Sequence, residues 1–366
     1  MASRKVAERL RGVSLYDIAI IGLGPAGATI ARLLDKRFRI IAIDKKSADD
    51  NTAFQKPCGG LLAADAQKAL SKFNLTLPKA VLVDPQVFAV KTIDSKQMLL
   101  RYYQRFYINL DRHKFDMWLI SLIPEHIRIE NQAVCTSIRK KGEIYEVSYL
   151  KDRGEKTITA RHIIGADGSN SIVRRILFPN QSICRYLSIQ QWFPEQHITP
   201  FYSCIFDSDI TDSYCWSISK SGFFILGGAF PLKTGKQSFE LLKQKLNKQG
   251  FIFGTPVKTE ACLVSMPKGL SSFYTGKDGA FLLGEAAGFI SPSSLEGISY
   301  ALNSAHALAG ILNSGCADPA RKYRVKSLPI RIKLLLKHFK SPFMYNPLLR
   351  KLVMKSGLCS ISILEQ

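Results

Sequence analysis

A glycine turn between an apolar strand and a helix, two later strand–turn–helix junctions, and two intervening stretches rich in β-branched and aromatic residues predict an α/β chain. In that reading a Rossmann-like nucleotide-binding domain is assembled from residues 14–84, 109–181 and 272–317. Residues 85–108 and 182–271 read as a separate set of strands, and residues 318–366 as a basic helical tail.

The 366 residues suffice for two such domains, and 46% apolar with 10% aromatic content excludes a disordered or fibrous chain. The formal net charge of +22 is concentrated at the end: from Asp318 to Gln366 eleven Lys or Arg stand against two acids. Such a balance suits anionic partners, whether nucleic acid, a membrane surface or a substrate. Eight cysteines without a C-x-x-C pair and six histidines without H-x-x-x-H argue against a metal site and a disulfide framework, and for a reducing cytoplasm. The opening MASRKVAERLR and the apolar stretch after it have the outline of a signal peptide. Asp17 and the glycines within that stretch fit a nucleotide-binding turn better. No apolar run is long enough to span a bilayer, so the expectation is a cytoplasmic protein, at most peripheral at the inner face of the membrane.

Within YDIAIIGLGPAGATIARLL, Ile18 to Ile21 read as a buried strand and Pro25 onward as a helix. Gly22, Gly24 and Gly27 form G-x-G-x-x-G. The first permits a tight turn, the second lets backbone approach a pyrophosphate, and the third lets helix pack close to strand. The helix start at Pro25 and Ala26 presents free backbone amides to the phosphates. A second apolar strand, FRIIAID, ends at Asp44, placed to accept from an adenosine ribose, with Lys45 beside it.

ARHIIGADGSNSIVRR is a strand running into Gly165-Ala166-Asp167, followed by a helix. GAFLLGEAAGFISPSSLEGISYAL is a strand, a turn at Gly284-Glu285 and, past a loop, a helix from about Leu295. INLDRHKFDMWLISLI sets Arg112 three residues ahead of Phe115-Asp116 at a helix start. With the glycine turn, and in this order and separation, these elements resemble the fingerprints of the flavin-dependent aromatic hydroxylase and geranylgeranyl reductase superfamily. The fold so implied is the aromatic-hydroxylase-like FAD domain of glutathione-reductase type 2, with residues 85–108 and 182–271 inserted as a mixed β-sheet that roofs the flavin. The resemblance implies FAD in extended form, with Asp167 by the pyrophosphate and Gly284, Glu285 and Gly288 around the ribityl and pyrophosphate. It implies Gly297 and Ile298 at a helix end near the isoalloxazine, Arg112 on phosphate or adenine, and the backbone of Val134 on the adenine. A positive helix end there suits an anionic reduced flavin. Glu285 stands where the superfamily usually has Asp, with the same charge and a longer reach. With one G-x-G-x-x-G in the chain, either NAD(P)H visits the flavin transiently or a separate reductase or ferredoxin supplies electrons.

YCWSIS resembles the Y-x-W-x-F-P signature of geranylgeranyl reductases, with Ile218 and Ser219 in place of Phe-Pro. The W-x-W-x-I-P element of flavin halogenases overlaps it loosely. On a strand Tyr214 and Trp216 share a side, facing a cavity over the flavin or simply packing the sheet. SFELLKQKLNKQGF reads as a helix from Ser238 capped at Gly250. In FQKPCGGLL, Cys58 is either a residue of a tight turn or an active-site thiol. The second follows from the resemblance, since geranylgeranyl reductases carry a Cys-Gly pair beside the flavin; Gly59 and Gly60 then let backbone approach the ring or substrate.

A narrower resemblance, to bacterial flavoproteins of the geranylgeranyl reductase family, covers nearly the whole chain after Tyr16. It implies an FAD-dependent oxidoreductase reducing a double bond in a prenyl or other hydrophobic lipid, with Cys58, Tyr214 or water as proton source and Trp216 in the same site. The alternatives are a flavin monooxygenase, hydroxylase- or halogenase-like, and a non-catalytic lipid-binding flavoprotein. In the tail, Ile332, Leu335, Leu336, Phe339 and Phe343 recur at helical spacing among lysines. That surface packs on the FAD domain or docks to anionic lipid headgroups. No basic-aromatic nucleic-acid module is visible.

Overall fold

The structure, a computed structural model, describes residues 14–47, 56–195 and 201–364. The signal-like opening segment lies outside the described residues, as do Phe54 and Gln55.

Leu15–Ile21 lies inside an eight-stranded sheet, which explains why its last four residues are all apolar: a strand covered on both faces reads as a continuous apolar run. The main path of the sheet runs Gly276–Lys277, Ala280–Leu282, Gly154–Gly165, Leu15–Ile21, Ile40–Ile43, Arg128–Glu130, and its last five strands are parallel. The first strand begins three residues ahead of Ile18, because Leu15 and Tyr16 pair with Thr159 and Ala160. The long strand Gly154–Gly165 serves two partners. Its first half pairs antiparallel with Ile144–Lys151, which pairs in turn with Val134–Lys141. Helices Pro25–Leu33 and Ile298–Asn313 cover one face through Ile30, Leu302 and Leu308, while Val147, Tyr149, Val173 and Phe289 fill the other.

The long helix starts at Ile298, three residues later than its apolar pattern suggests. Leu295 takes a left-handed φ of 52°, and Glu296 accepts the Ser299 N–H at 2.8 Å, closing the first turn from outside.

A seven-stranded sheet stands against this layer in the order Lys258–Ser265, Arg185–Pro194, Phe223–Pro231, Cys215–Lys220, Phe201–Phe206, Ala89–Asp94, Leu99–Gln104. It is mixed: Ala89–Asp94 pairs parallel with Phe201–Phe206, and the other neighbours are antiparallel. Helix Gly235–Asn247 covers its outer face with Phe239, Leu242 and Leu246. That helix is shifted toward the N-terminus from Ser238–Gly250. Gly235 fits against the Leu187 side chain, and Gly250, at φ +89°, sits in a turn where Phe251 returns its N–H to Leu246.

The tail is helical, as its periodicity predicts: Pro319–Lys326, Leu328–Tyr345 and Pro347–Ser356. Asp318 and Asn346 cap two of these starts with side-chain oxygens, each ahead of a proline at the first helical position. Arg350 anchors the last helix to the second sheet. Its Nε lies 2.7 Å from Asp94, both side chains are buried, and the guanidinium stacks 4.7 Å from the Phe206 ring centroid. Among the described residues no helix is long and apolar enough to cross a membrane. The α/β fold with an inserted mixed sheet and helical tail is therefore as the sequence predicts.

Candidate functional site

Between the two sheets lies a cavity of about 1040 Å³, at the upper end of the range for small-molecule sites. The first sheet contributes Gly22, Gly24, Pro25, Ala26, Asp44, Lys45, Val134 and Asp167 to its wall. Arg112, Glu285, Gly297 and Ile298 join them, with Cys58, Gly59 and Gly60 on a crossing loop and Tyr214 and Trp216 from the second sheet. Three residues of the predicted cofactor set, Gly27, Gly284 and Gly288, do not line it; they are packing positions. A Cβ on Gly27 would stand 1.8 Å from the Gly22 carbonyl oxygen, and one on Gly288, at φ +80°, 2.1 Å from the Ser272 oxygen. Gly284, at φ +52°, lets Ala26 and Ala301 close in.

At the glycine-turn end, Gly22 takes φ +93°, and above Gly24 there is open space where a side chain would project. Asp44 accepts the Leu23 N–H and, at 2.7 Å, the Lys46 N–H. Lys46 is a buried charge partner of Asp44: its ammonium lies 3.7 Å from Asp44 and 3.6 Å from Asp116. Asp116 also holds Arg112 Nε at 2.9 Å, so the R-x-x-F-D element is an i,i+4 ion pair inside the wall. Burial opposes the charge on Arg112, but the Asp116 carboxylate outweighs it and holds the guanidinium above its usual value. The nearby Cys58 sulfur raises it further.

Asp167 Oδ2 accepts the Ile172 N–H at 2.7 Å, whereas Oδ1 is buried without a hydrogen-bond partner, and burial raises this carboxyl above its ordinary range. Glu285 takes the Ser265 N–H at 2.8 Å on one oxygen and the Lys56 ammonium at 2.5 Å on the other. An orphaned carboxyl oxygen at the wall, clearance above Gly24 and a ribose-type acid at Asp44 fit a dinucleotide whose pyrophosphate crosses the helix start.

The Cys58 turn is held from behind by a lysine that sequence reasoning missed. Lys220 closes the strand Cys215–Lys220, a position that reads as solvent-facing, yet it is buried. Its ammonium donates to Leu110 O at 2.6 Å, Asn109 Oδ1 at 2.7 Å and Gly60 O at 3.4 Å, and burial lowers it to about 8. A Cβ on Gly60, at φ +63°, would stand 2.4 Å from that ammonium. Lys220→Met strands these acceptors, each costing about 1–3 kcal/mol when left buried and unpaired. The expected result is a lower denaturant midpoint together with altered Cys58 alkylation kinetics; unchanged kinetics would detach Lys220 from the turn.

Trp216 and Tyr214 share the cavity face of the second sheet, with Cys215 in the core behind it. The indole lies close over Gly227, where a Cβ would come within 2.5 Å, and beside Gly59; its buried N–H has no partner. The Tyr214 hydroxyl donates to Ser294 O at 2.9 Å, and desolvation pushes the phenol well up. Sequence reasoning also passed over Glu296, which lines the cavity beside Gly297. Its two oxygens accept from the Ser299 N–H at 2.8 Å and the Ser299 hydroxyl at 2.9 Å, while burial raises the carboxyl. The available signal was a lone acid just ahead of a helix start, which reads equally as a cap. Among the described residues no group of three or more His, Cys, Asp or Glu is placed to hold a metal ion.

No protein-family model matches the chain. The fold is shared with a geranylgeranyl bacteriochlorophyll reductase-like protein from Thermoplasma acidophilum, at a TM-score of 0.79 and 19% identity over 93% of this chain and 91% of that one. It is shared too with PqsL, a probable FAD-dependent monooxygenase from Pseudomonas aeruginosa, at a TM-score of 0.67 and 15% identity over 94% and 100%. In sequence the chain is 49% identical to protein CbrA of Escherichia coli O6:H1 over 350 residues, which is 96% of each chain. At that identity across nearly the full length of both proteins, the chain belongs to the CbrA family.

Proposed function

We propose that this protein is an FAD-dependent oxidoreductase that reduces a double bond in a prenyl-type or other hydrophobic substrate. The observation that carries this reading is the continuity of one cavity from the glycine turn to the apolar, aromatic face around Tyr214 and Trp216. Bound FAD, once reduced, supplies the hydride; NAD(P)H or a partner reductase or ferredoxin is the electron source. The chain's own task is then to hold the pyrophosphate at the glycine turn, to exclude water with the second sheet, and to deliver a proton to the carbon next to the one reduced.

Glu296 is the best-suited proton donor. Burial raises its carboxyl, so it keeps a proton to higher pH than an exposed glutamate. Tyr214 is a poorer donor, its phenol pushed far up and its proton committed to Ser294. Cys58 and water remain the alternatives. Glu296→Gln is expected to keep FAD absorbance and lose roughly 10²–10⁴-fold in product formation. The pH profile carries the same test. A raised carboxyl is protonated below its folded pKa, so wild-type turnover falls as pH rises through that value. The Gln variant loses this limb, whereas a variant with wild-type rate and profile removes Glu296 from the reaction and makes Cys58→Ser the next test.

The likeness to PqsL supports a second reading, a monooxygenase. Anaerobic turnover separates the two. A reductase forms a product heavier by two hydrogens without oxygen; a product that requires dioxygen and carries its label overturns the reductase. Lipid binding with no turnover under any reductant leaves a non-catalytic flavoprotein.

A further inference from the structure

The cavity does not end at the second sheet. Its wall continues into the tail helices through Phe343, Met344, Val353 and Met354, and on to Leu358 and Cys359 beyond them. These helices are fixed in orientation by Leu334, which is fully buried, by the Arg350–Asp94 pair and by Lys333–Asp65 at 2.8 Å. The faces left outward are therefore defined. On Leu328–Tyr345 the outward side chains include Ile332, Leu336, Phe339 and Phe343, at spacings of four, three and four, which is one helical stripe. Phe339 is 71% exposed and Leu336 58%. Leu348 and Leu352 repeat the pattern on the next helix at 70% and 66%.

Exposed lysines, Lys340 and Lys355 among them, flank these stripes within the segment of eleven basic residues against two acids. An apolar stripe bordered by a single sign of charge selects an occupant that is apolar inside and anionic at its surface. A second copy of this chain fits poorly, since a two-fold pairing would set this basic surface against itself. Nucleic acid fits less well, since half of the stripe is aliphatic and the tail carries no nucleic-acid recognition module.

We propose that the outward face of the two last helices is a docking surface for an anionic lipid bilayer, and that the cavity mouth at Phe343, Val353 and Leu358 opens onto it. Hydrophobic substrate then enters from the lipid phase without crossing water. The docking face stands on its own; the entry route rests on the proposed hydrophobic substrate.

The test is sedimentation of the full-length, FAD-loaded protein with vesicles of phosphatidylcholine alone or mixed with phosphatidylglycerol. The expected result is capture by the mixed vesicles that weakens with added salt. Lys340→Gln and Lys355→Gln should each lower partitioning roughly fivefold. Phe339→Ser should lower it further without changing the melting temperature or the flavin spectrum. Equal sedimentation with both vesicle types, or no effect of these variants, overturns the docking face. So does a lipid-free dimer dispersed by Phe339→Ser, or tight binding to nucleic acid removed by the lysine variants. A polarity-sensitive fluorophore on Cys359, the exposed cysteine at the mouth, should shift to the blue on mixed vesicles. Binding without that shift overturns the entry route and keeps the face. Because these readouts need no turnover, their failure is distinct from failure of the double-bond reduction.

Discussion

Gly27→Ala should yield a protein that is both colourless and markedly less stable. The added methyl would lie 1.8 Å from the Gly22 carbonyl oxygen, inside backbone that has no free rotamer to yield. The turn and helix must separate, and the cost falls at or above the top of the range for overpacked cores, about 3 kcal/mol. Because that turn also positions the helix start, FAD affinity should fall at least about 100-fold, the equivalent of 2.7 kcal/mol lost at the site. Gly24→Ala is the informative partner. Nothing stands within 4 Å of its Cβ position, so the ligand-free protein should melt as wild type does. The methyl nevertheless occupies the approach of the pyrophosphate, and flavin binding should weaken. Wild-type FAD affinity in Gly24→Ala, measured by quenching of flavin fluorescence, would remove the cofactor from this turn.

Arg350→Ala should cost about 3–5 kcal/mol, the range for a buried ion pair that loses one partner. Asp94 is fully buried and would be left with a charge that the Gln97 N–H alone does not balance. The Arg350 NH1 group also closes the previous helix by donating to Met344 O at 2.6 Å, so the last helix loses its seat as well as its charge partner. The expected readouts are a lower denaturant midpoint and faster proteolysis within residues 328–356. Replacing both partners with apolar residues, as in Asp94→Leu with Arg350→Met, should recover most of the loss, because two desolvated charges leave together. If the double variant is as unstable as the single, packing of the helix rather than the ion pair carries the effect.

What the sequence disclosed depended on whether a residue's role was local. The glycine turn was legible because its constraints are backbone constraints satisfied within a few residues. The shared side of Tyr214 and Trp216 was legible from strand alternation alone. Lys220 was not, because its acceptors come from residues 60, 109 and 110, far away in the chain. Lys46 illustrates the same limit. It and Lys45 are adjacent and chemically equal, and the second acid that holds Lys46 inside, Asp116, comes from a helix seventy residues further along the chain. Helix ends erred by three residues where a left-handed Leu295 or a glycine packed on Leu187 overrode the apolar pattern. The tail's periodicity predicted helices, but not which stripe faces outward, since Asp94 and Asp65 set that from elsewhere.

The parallel pairing of Ala89–Asp94 with Phe201–Phe206 also sets a schedule for biosynthesis. The strand Ala89–Asp94 leaves the ribosome more than a hundred residues before Phe201–Phe206, the strand that will cover its edge. At ~5–20 residues per second the wait is on the order of 5–20 s, during which Val90 and its neighbours present an open ladder. Slower translation lengthens that exposure, whereas a chaperone that shields extended apolar segments shortens its consequences. Recovery of soluble protein should therefore respond to holdase supply more than to growth temperature alone, and a lysine placed on the waiting edge would trade final sheet stability for a safer nascent chain.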